Sequence, residues 1–441
     1  MADQKDIIEK TLCHLFPSRW LKRQAKETGV IQRNRKIDPV AMFWTLALGF
    51  GVKKSRDIAS LRRSYEAATR TTIAASSFYD RFTPQLVAFL QRACDRAFGA
   101  ISGQGQALQG ALASFRDVVI TDATVLRLHD LLKNRYPACR TNHTKAAAKL
   151  HLVLSVLGTS EQKVKLTGER KNDGKVWTIG QWVRNHLLLF DLGFFSYALF
   201  DRIDRLGGFF ISRLKDFCNP ILTAVHQGCA DGLLGSNLQT VLGSIRREVL
   251  DVEVEVSFKK RQYKGKRSTA KRRFRVVGIK QPNTRIYHLY VTNIPKEILS
   301  ARTIALIYSV RWLVELVFKQ LKSFYHLEDF PSSNPHIVHA LIYSAILTML
   351  VSQSLEHLLR QTSDTENTTQ QATGKDVFPL LRLAAVLNAY GQDLLKDVLR
   401  YAGVKPASLS LLELIRKEAR DPNRKRLILP KRLEQISLVA S

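Results

Sequence analysis

The spacing of apolar runs between residues 115 and 215 constrains the fold more than any other feature. "FRDVVITD" (115–122), "AKLHLVLSVLG" (148–158), "QKVKLTGER" (162–170) and "NHLLLFDLGFF" (185–195) are short and rich in β-branched or aliphatic residues. "YALFDRIDRLG" then has helical spacing, and "GFFISRLK" returns to strand character. Four strand-like runs, a helix and a fifth run predict an α/β core, because such runs are buried only when helices cover a shared sheet.

The flanks differ from this core. Residues 1–105 read as helical and form a candidate N-terminal DNA-binding domain. "DPVAMFWTLALGFG" has apolar residues at helical spacing, with Asp38 as N-cap and Pro39 at the first helical position. "RWLKRQAKETGVIQRNRK" holds seven basic residues and one acid. "TIAASSFYDRF" is a candidate recognition helix of helix-turn-helix type, with Tyr79 and Arg81 as its probes. An ordinary helical bundle with a solvated basic face fits the same pattern.

The joint "GAISGQGQALQGA" (99–111) leads into an expected catalytic domain over 112–350. Residues 216 to about 283 interrupt it as a β-rich insertion. There "LDVEVEVSF" alternates as an exposed strand should, and "KKRQYKGKRSTAKRRFR" (259–275) carries ten Lys/Arg and no acid. From 351 to 441 a helical C-terminal region follows, with an expected mobile linker at about 361–375 rich in Thr, Gln and Ser.

The charge points to a partner. With 68 Lys+Arg against 38 Asp+Glu, the formal net charge is +30, which favours a polyanion. Nucleic acid ranks ahead of an anionic membrane. The polar start "MADQKDIIEK" is no signal peptide, and "HIVHALIYSAILTMLV" (336–351) is short for a span and interrupted by His, Ser and Thr. We therefore expect a buried helix there, no membrane partner and a cytoplasmic, nucleoid-associated protein. Five scattered cysteines without a C-x-x-C argue against a disulfide framework. A zinc site from Cys139, His143 and His151 lacks a second ligand pair and is set aside.

The chemistry centres on "YSVRWLVELVFKQLK" (308–322). At 100° per residue, Tyr308, Arg311, Glu315 and Lys322 share one face, and Val310, Val314, Val317 and Leu321 form a separate apolar stripe. An exposed face with ion pairs Arg311–Glu315 and Glu315–Lys319 explains the charges alone. Two further acids suggest more. Asp122 and Asp191 each end a buried run, where α/β folds place their sites. Turn or capping roles are the alternative for each. Three converging carboxylates would repel one another unless cations lay between them. Two Mg²⁺ ions, with Mn²⁺ as substitute, meet that need and are the arrangement used for phosphodiester chemistry.

Tyr308-x2-Arg311-x3-Glu315-x6-Lys322 resembles the Tyr-Arg-Glu-Lys signature of DDE transposases of the insertion sequence 4 family. "VVITDAT" and "LLLFDLGFFS" resemble the strands carrying the family's two aspartates, and "GGFFISRLK" and "LYVTNIP" its neighbouring strands, over roughly 115–350. Leu192 stands where the family commonly has a basic residue. The resemblance implies an RNase H-like catalytic core with a β-rich insertion. It implies Asp122, Asp191 and Glu315 as catalytic metal ligands, and Tyr308, Arg311 and Lys322 as DNA contacts. Lys319, Arg213, Lys259, Lys260, Arg261, Lys264, Lys266, Arg267, Lys271, Arg272 and Arg273 are further candidate DNA contacts. Trp312 is expected in the core. The expected partner is double-stranded DNA, as transposon ends and as target, bound by a homodimer. The alternatives are an inactive DNA-binding relic or transposition inhibitor, and an RNase H-like nuclease.

Overall fold

The computed structural model describes residues 6–31, 37–49, 57–102, 110–139, 144–156, 163–171, 173–259, 268–328, 330, 332–362 and 380–418. Nine strands form one mixed sheet: β1 (Asp117–Leu128), β2 (Ala146–Ser155), β3 (Lys163–Gly168), β4 (His186–Phe190), β5 (Phe209–Arg213), β6 (Ile221–Gln227), β7 (Val249–Lys259), β8 (Thr269–Lys280) and β9 (Tyr287–Thr292). Their order is β3-β2-β1-β4-β5-β9-β8-β7-β6. β1, β2 and β3 are antiparallel, whereas β4 and β5 run parallel to β1. This half of the sheet is compatible with an RNase H-like core. Strand β1 is buried through its first half because it is paired on both sides, by β2 and β4.

The β-rich stretch continues the same sheet. β9 pairs with β5 on one side and with β8 on the other, so β8, β7 and β6 extend the core ladder outward. β6 was not expected from the sequence. It is interrupted by register shifts at Leu222/Ala224 and Val225/Gln227, which break the alternation that marks a strand.

On the N-terminal side lie α1 (Ile7–Leu15), α2 (Ser18–Glu27), α3 (Pro39–Gly49), α4 (Ile58–Thr69), α5 (Ala75–Tyr79) and α6 (Pro84–Ser102). Asp38 caps α3 by accepting from the amides of Val40 and Ala41 at 2.8 and 3.0 Å. Within the core region, α7 (Tyr197–Arg205) links β4 to β5, and α8 (Leu238–Ser244) lies between β6 and β7. Beyond the sheet come α9 (Ala301–Ser309), α10 (Trp312–Ser323), α11 (Pro335–Thr362), α12 (Leu380–Tyr401) and α13 (Leu411–Glu418).

Helix α11 is apolar and long enough by composition to cross a membrane, yet 83% of its most apolar window is buried inside the protein. It packs on α6, α3, α1 and α12, and it runs unbroken across residue 350. Its polar residues are satisfied internally: Ser344, Thr348 and Ser352 each donate to the carbonyl four residues back, and Thr348 also donates to Ala47 O of α3 at 2.7 Å. N- and C-terminal helices thus pack around one buried rod. The expected linker at 361–375 lies, beyond Thr362, outside the described residues.

Candidate active site

Strand pairing sets the level of the two aspartates. The parallel register of β1 and β4 ends at Thr121↔Phe190. Asp122 and Asp191 are the next residues on these neighbouring chains. Asp191 turns away into a 3-10 turn over Leu192–Phe194, whereas β1 continues to Leu128 against its other partner, β2. The expectation that Asp122 ends its strand is therefore corrected. What ends at Thr121 is the pairing with β4, and with it the continuous burial of β1; beyond it Leu126 and Leu128 are buried again.

The helix opposite is two helices. α9 stops at Ser309 and α10 starts at Trp312, while Val310 and Arg311 keep right-handed helical dihedrals between them. Arg311 N donates to Tyr308 O at 3.1 Å and Val314 N to Arg311 O at 3.2 Å, a local tightening to 3-10 geometry. Val314 and Leu321 are fully buried, as their stripe predicts, with Val310 and Val317 packed beside them. Trp312 departs from expectation. It is 58% exposed rather than in the core, at the first position of α10 just after the tightened turn.

Arg311 gathers the site. Its guanidinium donates to Asp122 Oδ2 at 3.1 Å and to Glu315 Oε1, and lies 5.7 Å from the centre of the Tyr308 ring. The Tyr308 hydroxyl donates to Phe190 O at 3.3 Å, and its ring packs 5.0 Å from that of Tyr290. Arg213 lies opposite Tyr290 in the β5–β9 register, close enough to act electrostatically on Tyr308. Burial lifts the Asp122 carboxyl to about 6. The amide of Ala123 and the Arg311 guanidinium oppose that rise, and the charges of Asp191 and Glu315 add to it. Asp122, Asp191, Glu315, Arg311, Tyr308 and Arg213 therefore form one electrostatic neighbourhood.

Lys322 has a second task. Its ammonium donates to Val125 O at 3.2 Å and pairs with Glu328 at 2.6 Å, fastening α10 to β1. Lys319 is exposed on α10.

The donor set of Asp122, Asp191 and Glu315 suits a hard cation in ligand type. Three carboxylates supply only oxygen ligands, as Mg²⁺ requires. Among the described residues, no three His, Cys, Asp or Glu side chains stand close enough to hold an ion together. Two of the three acids, Asp122 and Glu315, are instead spanned by the cationic group of Arg311. The ligand types fit a divalent ion, and the Arg311 guanidinium supplies positive charge between two of the acids. Cys139 and His151 gather no metal set either: the Cys139 amide donates to Glu169, and His151 Nε2 bonds Thr167 Oγ1 at 2.8 Å. His143 lies outside the described residues.

The basic hairpin is only partly free. Lys271 pairs with Glu255 at 2.9 Å. Arg272 and Arg205 both pair at 2.5 Å with the buried carboxylate of Asp201, which ties β8 to α7. Lys259 and Arg273 are exposed. Lys260, Arg261, Lys264, Lys266 and Arg267 lie outside the described residues.

One neighbour of the site escaped the sequence reading. Asp173 sits in a turn between β3 and β4, accepts from Lys149 at 3.0 Å and lies 3.8 Å from His151 Nδ1. Its Oδ2 approaches Gly193, in the turn that follows Asp191, so closely that a methyl there would meet it at 3.2 Å. In sequence, "NDGK" reads only as a turn. A cleft of about 590 Å³ flanks this turn, lined by Thr121, Asp173, Trp177 and Trp182 among others. It opens on the sheet face away from Asp122, since successive strand residues point to opposite faces.

The sequence has relatives among known proteins. Over 96% of this chain and 94% of its own length, the transposase for insertion sequence element IS231B of Bacillus thuringiensis subsp. berliner is 24% identical. The transposase for IS231C of the same organism is 23% identical over 82% of each chain. The transposase for IS1151 of Clostridium perfringens is 20% identical over 80% of this chain and 81% of its own. Residues 113–351 match the family model described as "Transposase DDE domain". That span takes in β1 through most of α11, including Asp122, Asp191 and Glu315, and more than half the sequence: the chain belongs to the DDE-domain transposase family.

Proposed function

We propose that this DNA transposase mobilises an insertion sequence of the insertion sequence 4 family, with Asp122, Asp191 and Glu315 as its metal-holding acids. The observation that carries the reading is Arg311, which bonds Asp122 of β1 and Glu315 of α10 and stands within electrostatic reach of Asp191 at the end of β4. Two Mg²⁺ ions held by these acids would activate the attacking water or 3′-hydroxyl and stabilise the leaving oxygen. The remaining roles belong to the chain itself. Burial and mutual repulsion make Asp122 costly to ionise without a cation, so the acids favour metal binding. Arg311 neutralises them meanwhile, and once displaced its planar fork suits a phosphate. Tyr308, held to β4, fixes the height of Arg311 above the acids. Lys322 keeps α10 docked on β1, beside Asp122.

On this reading the enzyme binds the terminal inverted repeats of its element, cleaves to free a 3′-hydroxyl at each end and joins it to target DNA. A homodimer holds both ends. Lys259, Arg273 and the other basic residues of the β7–β8 hairpin would contact the duplex.

The test is cleavage and joining of a labelled duplex carrying the element's own end in Mg²⁺, comparing wild type with Glu315→Gln. Boundary cleavage with joined products, lost in the variant while end binding survives, supports the proposal. Tight binding without chemistry by either protein, in Mn²⁺ and on pre-nicked ends as well, favours an inactive relic or inhibitor. Cutting without end preference or joining favours an RNase H-like nuclease.

A further inference from the structure

Helix α2, "SRWLKRQAKE", buries one face and charges the other. Leu21, Gln24 and Ala25 point inward, while Arg19, Lys22, Arg23 and Lys26 are all exposed. Their spacing of i, i+3, i+4 and i+7 puts four cations in a single stripe along the helix. Like charges at these spacings weaken a helix, so the stripe is not there for stability. Neutralisation within the chain is slight. Glu27, at the end of α2, lies 3.7 Å from Arg23 and is shared with Arg92 at 3.0 Å. Arg19, Lys22 and Lys26 have no acidic partner among the described residues.

A second observation lies beside the stripe. Arg19, Lys22, Arg23 and Lys26 line a groove with Pro17, Trp20 and Arg96 of α6. Arg96 is held there rather than waving in solvent: its Nε donates to Leu15 O at 2.7 Å, and its guanidinium carbon lies 5.0 Å from the centre of the Trp20 ring. Burial, together with the charge of Arg23, depresses the Arg96 pKa, so a fixed cation faces into an already positive groove.

We propose that the α2 stripe, with Arg96 behind it, is a docking surface for the sugar-phosphate backbone of duplex DNA. The inference rests on the transposase reading for the identity of the polyanion, and it names a surface that the reading leaves open. It adds an N-terminal DNA contact apart from α5, part of the candidate recognition segment that ends with Arg81 and Phe82. α5 is only five residues long and carries no basic residue. We assign the stripe to phosphate rather than base contact. Gln24, the one amide side chain on α2, is buried and bonded to Arg92 and Glu27, so the exposed face offers cations alone, and equal loss on related and unrelated duplexes is what separates phosphate contact from base reading.

The experiment uses the full chain. The fourfold variant Arg19→Gln, Lys22→Gln, Arg23→Gln, Lys26→Gln is compared with a charge-matched control, Arg246→Gln, Arg247→Gln, Lys296→Gln, Lys405→Gln, whose sites are also exposed. Binding to a labelled duplex is followed by anisotropy over roughly 50 to 200 mM salt. With about 0.9 counterion released per phosphate contact, the slope of log K against log salt should become shallower by about 3 to 4 in the α2 variant. An element-end duplex and an unrelated duplex should lose affinity by the same factor, and the control should keep the wild-type slope. Far-UV circular dichroism confirms that the variant is folded. An unchanged slope, an equal loss in the control, or a loss confined to single-stranded RNA or anionic vesicles overturns the proposal. If wild type binds and cuts its ends while the α2 variant keeps the full slope, this surface falls and the transposase reading stands. If wild type binds no duplex, both fall.

Discussion

The Tyr308 hydroxyl donates to the Phe190 carbonyl, joining the last turn of α9 to the residue before Asp191. This bond crosses between segments 118 residues apart and sets how far α9 and α10 stand from the strand ends that carry the acids. Tyr308→Phe keeps the ring against Tyr290 and removes the hydroxyl from both Phe190 O and Arg311. It should cost about 1 kcal/mol in urea unfolding. End cleavage should fall by more than that loss of folded protein explains. An unchanged cleavage rate would remove Tyr308 as a spacer.

Asp122 gives a prediction in which charge and stability oppose each other. Its folded-state carboxyl titrates at about 6, above its usual value of 3.8. A raised carboxyl contributes stability that is complete below the ordinary value and lost as pH rises through the folded one. Metal-free protein at neutral pH therefore carries a penalty of up to roughly 3 kcal/mol at this position. Asp122→Asn should raise the melting temperature at neutral pH and leave it unchanged in acid. Mg²⁺ should stabilise wild type and not the variant. A variant that melts lower at neutral pH, or that still responds to Mg²⁺, would contradict the assignment.

His151 works in the opposite direction. Burial depresses its pKa to about 4, with Asp173 opposing and Lys149, Lys171 and Lys165 assisting. A depressed histidine contributes stability that is present above its ordinary value of 6.5 and lost as pH falls toward 4. Urea midpoints should therefore decline across that window, by at most roughly 3 kcal/mol from this group. His151→Gln should flatten the decline. A parallel decline in the variant would assign it to other groups.

Gly193 tests the contact behind Asp191. A methyl at this position meets Asp173 Oδ2 at 3.2 Å, so one of the two must move. Gly193→Ala should slow cleavage while costing less than about 1 kcal/mol of stability, as a small overpacking would. Gly193→Ala combined with Asp173→Ala should cleave better than the sum of the single losses predicts. Additive losses would mean that the residues act separately.

Trp312 can be checked by stability alone. Being largely exposed, Trp312→Ala should shift unfolding by about 0.5 kcal/mol or less, whereas a core tryptophan would cost about 3 to 5.

Much of the fold was legible because its signals are local. β-branched and aliphatic runs located β1 to β5 and β7, the resemblance located β9, and Asp38 followed by Pro39 located the start of α3. What escaped depends on distant partners. That β1 continues past Asp122 is decided by β2, and that the β-rich stretch joins the core sheet is decided by the pairing of β9 with both β5 and β8. The grouping of Tyr308, Arg311 and Glu315 was legible from spacing. The break between α9 and α10 was not, because Val310 and Arg311 stay helical and differ only in how tightly they wind.

The unbroken ladder turns the sheet into a caliper. Four rungs separate β1, which carries Asp122, from β8, which carries the described part of the basic hairpin. At about 4.8 Å per rung that is roughly 19 Å, measured in backbone hydrogen bonds rather than in linker. On the proposed function, a tool so jointed cannot slide its grip relative to its blade. Lengthening the β7–β8 loop would change the reach of the grip, but the distance from strand to strand would stay as it is.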